Sequence, residues 1–335
     1  MRHCNIPIFV AHMGCPHQCV FCNQKSITHT GGAVTGEQAA ALIARAVETL
    51  PEDAEVEIAF FGGSFSGIPA QQQEALLMAA WPYVCSGRVK GVRLSTRPDL
   101  IDQEVLARFT RWGVTAVELG AQSMDEEVLR LSRRGHSPAD VERASAMILD
   151  ASFELGLQMM VGLPGDTREK SEYTAREIIR LGAHTTRIYP AVVLRGTAME
   201  QMYRSDAFAP LTVEQAVEQC AKLVPMMEQA QVHILRLGLM AEEGLSLDRD
   251  LVAGPYHPAF GELVRGRILR NQAQQMLADC PPGAKVRLHV HPKDVSPMTG
   301  PGRCNLRWLI EQYGLAELKL LPDQTERGQV QLTLT

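Results

Sequence analysis

Three cysteines crowd into eight residues, Cys15-Pro16-His17-Gln18-Cys19-Val20-Phe21-Cys22. Thiolates this close on one loop can wrap a single metal centre, because the chain between them can curl around it. Zinc would want a fourth ligand, which His17 or Cys4 would have to supply. A four-iron cluster held by three thiolates would keep one iron open, and an open iron is where a substrate can bind. Spacing alone leaves both centres in play. The other five cysteines, Cys4, Cys85, Cys220, Cys280 and Cys304, repeat no metal spacing and read as buried thiols. Eight cysteines in 335 residues, with no cleavage pattern behind the apolar stretch at 6–11, argue against a disulfide framework and for the cytoplasm.

A second group of reactive side chains repeats at period two. Arg93, Ser95 and Arg97 share one face of a short extended run. Glu118, Gly120 and Gln122 do the same, as do Gln158 with Met160, Arg187 with Tyr189, and Arg236 with Gly238. Strands of a parallel sheet covered by helices should be apolar on both faces. Polar residues on one face of five strands are therefore expected to point into a common interior. They are costly there unless a ligand or another residue satisfies them. Buried ion pairs, such as Glu118 with Arg93 or Arg187, are the plainer arrangement. Five strands with one habit favour a polar binding cavity.

The elements that would carry these residues alternate in order. Apolar runs at 6–12, 56–61, 92–96, 116–121, 153–161 and 186–194 predict strands. Helical patterns cover 35–50, 70–84, 102–112, 125–133 with 138–151, 169–181 and 213–229. Six strand–helix units predict an α/β protein, a partial (β/α)6 TIM-like barrel, short of the eight units that close a regular one. Residues 234–239 read as a further strand and 258–278 as a helix. The chain divides into a barrel over 1–240, a helical connection over 241–280 and a small α+β extension over 281–335.

Residue by residue, the chain is similar to radical S-adenosylmethionine (radical SAM) enzymes. The Cys15-x3-Cys19-x2-Cys22 loop with Phe21 resembles their cluster loop, and Gly62-Gly63-Ser64-Phe65 their glycine segment at the second strand. Ser95-Thr96-Arg97-Pro98-Asp99, the run from Val117 to Ser123, Arg134-Gly135-His136, Gly162-Leu163-Pro164-Gly165 and Ile188-Tyr189-Pro190 resemble the radical SAM half of the Elongator catalytic subunit (Elp3). So does Arg195-Gly196-Thr197, and the likeness runs from about 8 to 270. The resemblance implies a 4Fe-4S cluster on Cys15, Cys19 and Cys22. It implies SAM held by Phe21, Gly62, Gly63, Ser64, Ser95, Gln122, Arg134, Gln158 and Leu163. It also implies a 5′-deoxyadenosyl radical that abstracts hydrogen from a substrate near Arg97, Glu118, Arg187, Tyr189 and Arg236. A flavodoxin or ferredoxin would be the electron donor. Relatives usually carry Glu where Ser95 stands, and they space the cysteines more widely. They also continue into an acetyltransferase, for which the residues after 280 leave no room, so a stand-alone Elp3-like enzyme is expected.

The substrate class is less sharply marked. A formal net charge of −5 speaks against strong global attraction to nucleic acid, and no apolar run approaches a membrane span. Lys285, Arg287, His289, His291 and Lys293 nevertheless make a basic stripe with apolar residues between them. Lys285, Arg287 and Lys293 are candidate RNA contacts, as in a tRNA-modifying enzyme, against the alternative of a solvated edge strand. A small metabolite or peptide substrate, or a zinc-stapled RNA-binding module without catalysis, are the other readings. His136, His257 and Tyr189 are candidates for proton transfer and equally for structural roles.

Overall fold

A computed structural model describes residues 3–10, 14–23, 34–51, 54–239 and 250–335. Strand β1 (His3–Phe9) is followed by helix α1 (Gly36–Thr49), β2 (Glu55–Phe61), α2 (Ala70–Cys85), β3 (Gly91–Thr96) and α3 (Gln103–Arg111). Next come β4 (Val114–Gln122), α4 (Glu126–Leu131), α5 (Pro138–Asp150), β5 (Glu154–Val161), α6 (Arg168–Arg180) and β6 (Thr185–Pro190). After β7 (Val193–Leu194) and α7 (Ala198–Arg204) run α8 (Val213–Gln229) and β8 (His233–Leu237). The seven long strands form one parallel sheet in the order β1-β2-β3-β4-β5-β6-β8. No pairing of β8 with β1 closes the ring among the described residues, so this is the expected partial barrel with a seventh strand added. The predicted end of the first strand, at residues 11 and 12, lies outside the described residues, as does the predicted barrel end at 240.

Local chemistry starts the helices where the sequence marks them. Thr35 with Gln38, Ser137 with Asp140 and Thr212 with Gln215 form reciprocal capping boxes. Asp102 and Thr167 cap α3 and α6 through single side-chain bonds. Ile58, Phe60, Leu94, Val117, Leu119, Leu157 and Ile188 are buried against the helices. All seven strands run the same way, so their C-terminal ends open on one rim, and the loops there can converge.

The predicted strand 186–194 is in fact two. Pro190 carries no N–H to continue the parallel ladder, and β7 instead pairs antiparallel with β9 (Leu251–Ala253). Beyond it, α9 (Phe260–Leu277) contributes Phe260, Val264 and Ile268 to the main core. The same helix gives Leu269, Ala273 and Leu277 to a second core. That second core also holds Val286, Leu288 and Val290 of β10 (Lys285–Val290) and Leu309 of α11 (Cys304–Tyr313), which follows the short α10 (Val295–Thr299). Strands β11 (Glu317–Pro322) and β12 (Val330–Leu334) flank β10, so β10 is central rather than the edge strand that the basic stripe suggested.

Candidate active site

The cysteine loop lies across the rim and is tied to three places on it. Cys15 Sγ is 3.2 Å from Ser64 Oγ, just past β2. The Val20 amide donates to the Ser132 carbonyl at 3.1 Å, and the Val20 carbonyl accepts from Met199 N at 2.8 Å. Asn23 Nδ2 donates to the Arg195 carbonyl at 2.7 Å. At its start the loop presses on the turn after β2. A Cβ on Gly67 would fall 2.0 Å from the Gly14 carbonyl oxygen, so no larger residue fits there. The Cys22 amide donates to the Cys19 carbonyl at 3.1 Å, curling the loop between the last two thiols.

Cys15 is exposed, Cys22 half-buried and Cys19 buried. Among the described residues no three His, Cys, Asp or Glu side chains converge on one metal position. The three-thiol donor set, gathered at one rim, nevertheless suits a cluster whose fourth iron takes a non-protein ligand. Among the described residues no fourth zinc ligand converges with the three thiols. Cys4 lies near the N-terminal end of β1, away from the rim. The His17 ring packs on Gly135, where an added Cβ would meet its Cδ2 at 2.3 Å.

Arg134 joins this loop to the sheet. Its Nη1 donates to Cys19 Sγ at 3.2 Å and its Nη2 to the Gly120 carbonyl at 2.6 Å. Its own carbonyl accepts from Arg97 Nη2 at 2.5 Å, and Asp99 fixes Arg97 at 2.9 Å. The buried Nε of Arg134 has no partner, an unsatisfied donor within the cradle. Gln122 closes β4 with φ at 66°, a left-handed conformation that a side chain rarely adopts. Gln158 Nε2 donates to Gln122 Oε1 at 3.1 Å. Gly62 has φ at +95° and stands half-buried with Gly63 after β2. Ser95 is half-buried on β3, while Phe21 and Leu163 pack in one small apolar cluster with Val128 and Ala191. His136 Nε2 donates to the Ala121 carbonyl at 3.2 Å. Burial, then the charges of Arg134 and Arg97, lower its pKa to about 3, so the ring is neutral at ordinary pH.

The polar strand faces do meet inside the barrel, and they meet chiefly each other. Arg93 contacts Glu57 at 3.1 Å, Glu118 at 3.4 Å and Glu154 at 2.8 Å. Glu118 also takes Arg187 Nε at 2.6 Å, and the Arg187 guanidinium stacks 4.8 Å from the Phe61 ring centroid. Burial works against the Arg187 charge, but Glu118 outweighs it and raises the pKa. Burial raises the Tyr189 pKa against the opposing Arg187. Arg236 Nε donates to the Gly238 carbonyl at 3.3 Å. The expectation of an open polar cavity is thus corrected for Arg93 and Glu118, which are 3% exposed and satisfied by ion pairs. The plainer arrangement prevails because the Arg93 and Arg187 guanidiniums each find a carboxylate on a neighbouring or next strand.

The expectation of buried thiols is corrected too. Of the five scattered cysteines only Cys220 is buried, and burial pushes its thiol up to about 12. Cys85 and Cys304 are exposed, at a helix end and a helix start where no core packs on them. Sequence reasoning missed Glu57, Glu154, Asp99 and Asn23. Glu57 stands alone among buried residues of β2, a polar interruption that could have marked it. Lys285, Arg287 and Lys293 are exposed, far along the chain from the rim residues.

The described sheet is an open parallel barrel whose carboxyl rim carries three cysteines and a buried arginine Nε without a partner. The radical SAM superfamily matches residues 10–178 and the radical SAM C-terminal domain matches 183–270. The chain belongs to the radical SAM superfamily. It is similar to the "tRNA uridine(34) acetyltransferase" of Dehalococcoides mccartyi, 25% identical over 61% of this chain and 52% of the relative. The Methanocaldococcus infernus protein of the same description is 32% identical over 37% of this chain and 24% of its own length. The chain thus spans about half or less of these curated relatives. The solved structure of archaeal Methanocaldococcus infernus Elp3 with an N-terminal deletion shares the fold. Its TM-score is 0.62 at 20% identity, covering 82% of this chain and 63% of that one.

Proposed function

We propose that this radical SAM enzyme of the Elp3 type reductively cleaves S-adenosylmethionine and abstracts hydrogen from a nucleoside of tRNA. The supporting observation is the loop of Cys15, Cys19 and Cys22 fixed at the barrel rim, with Arg134 bonded to the Cys19 sulfur. Those three thiols would hold a 4Fe-4S cluster and leave one iron for the amino and carboxylate groups of SAM. When bound, the cluster supplies the electron that splits the sulfonium into methionine and a 5′-deoxyadenosyl radical, which takes hydrogen from the substrate. A flavodoxin or ferredoxin is the class of donor this chemistry takes.

The chain's own residues bind and orient. The unpartnered Nε of Arg134 would meet the SAM carboxylate. Gly62 and Gly63 offer backbone carbonyls with no side chain to block the approach. Ser95, Gln122 and Gln158 offer hydrogen bonds to the ribose and adenine, and Phe21 with Leu163 an apolar wall. The ion-paired Glu118 and Arg187 hold Tyr189 in place beneath the substrate, while Arg97 positions Arg134 and Arg236 lines the last strand. Deuterated tRNA supplies the test: deuterium should appear in 5′-deoxyadenosine made from unlabelled SAM. Unlabelled product, with tRNA nucleosides unaltered, would refute the tRNA assignment.

A further inference from the structure

The basic stripe at 285–293 is not used by the barrel chemistry. Cations on a border strand would be explained as protection against edge pairing. Strand β10 is central, so that explanation fails. Val286, Leu288 and Val290 face the second core, which leaves Lys285, Arg287 and His289 on the opposite face. Arg287 is in register with Lys319 on one side and Thr333 on the other. Like charges directly opposite each other on neighbouring strands cost stability, so folding gains nothing from this pair. Lys319 bonds Glu317 at 2.9 Å and lowers its pKa, and Lys285, in register with Glu317, and Arg287 add to that pull. Yet Lys285, Arg287 and Lys293 come within ion-pair distance of no carboxylate among the described residues. His289 is braced by Asp323 at 2.6 Å and Thr333 at 3.0 Å. Charge is also segregated. Residues 281–335 hold seven Lys and Arg against five Asp and Glu, in a chain whose formal net charge is −5.

The remaining chemistry of the face selects the anion. Gln331 and Thr333 stand exposed beside the cations, the side-chain types that bond phosphate and sugar oxygens. No Phe, Tyr or Trp occurs at the outward positions of β10, β11 or β12, so unstacked bases find no platform. Double-helical RNA is recognised mainly through its backbone and 2′-hydroxyls. We infer that the open face of this three-stranded sheet docks the helical stem of an RNA, without reading its sequence. The inference rests on the tRNA reading only in that tRNA supplies such stems.

Fluorescence anisotropy on the full chain, purified anaerobically and without SAM or reductant, tests it with an RNA duplex of about 16 bp and a single strand of equal length. The duplex should bind more tightly. Lys285→Gln with Arg287→Gln should weaken duplex binding about tenfold at low salt and make the log–log salt slope shallower by about 2. The charge-keeping pair Lys285→Arg with Arg287→Lys should retain binding. Arg287→Gln alone should melt no lower than the parent, because it relieves the pair with Lys319. Undiminished duplex binding by the double Gln variant, or tighter binding of the single strand, would overturn the inference. Duplex binding by a chain that makes no deoxyadenosine would sink the catalytic reading and leave this one standing.

Discussion

Arg134 touches the Cys19 sulfur and the Gly120 carbonyl at once, and Arg97 holds its backbone. A lysine there would keep the charge and lose the fork that makes both contacts. Arg134→Lys should therefore lower deoxyadenosine formation by roughly 10–100-fold while iron stays bound, the scale of losing an orienting partner beside a metal centre. Parallel iron and product assays check it, and equal loss of iron would contradict it. His136 gives a pH signature. Unfolded histidine takes a proton near its ordinary value of about 6.5, whereas the folded ring resists until about 3. The unfolded state binds more protons in that window, so acid drains stability as pH falls from about 6.5 towards 3. His136→Gln should lose less stability than the parent between neutral pH and pH 4.5, read from urea midpoints. Parallel losses would mean that the ring is not kept neutral.

The cysteine loop and the turn after β2 work as a unit, because Gly14 and Gly67 meet backbone to backbone. Gly67→Ala should push the loop off its seat and cut iron per chain at least by half, with the melting transition of the barrel preserved. Metal analysis beside calorimetry reads both. The loop was legible in the sequence because its spacing is local, and so were the strands with sustained apolar runs. The two-residue strand β7 was not, since two residues carry no period. Nor could the alternation of Arg93, Glu118 and Arg187 reveal whether ligand or neighbour would satisfy them. That depends on register between strands, which brings Ser95 beside Glu118 and Gln158 beside Arg187. The proposal of Ser95, Gln122 and Leu163 as SAM contacts rests on family likeness alone, because isolated polar or apolar residues at strand ends carry no pattern of their own.

Across the whole molecule, one arginine ties several strands and one helix serves two cores. Arg93 of β3 reaches carboxylates on β2, β4 and β5. Removing one partner of a buried ionic group strands the others in a poor medium for charge. Arg93→Met should cost about 3–5 kcal/mol of stability, measured by urea unfolding, and a neutral result would mean that water reaches the carboxylates. Helix α9 spans both cores, so the extension with its basic face is carried on the barrel's own helix. The barrel prepares the chemistry and the extension supplies a charged surface, a division that a net charge of −5 conceals. The central claim is that the thiols of Cys15, Cys19 and Cys22 hold a cluster that cleaves SAM. Anaerobic reconstitution with iron, sulfide, SAM and dithionite tests it most directly. The parent chain should bind about four irons per cluster and form 5′-deoxyadenosine, and Cys19→Ser should form none. A colourless parent that holds zinc and makes no deoxyadenosine would contradict the account.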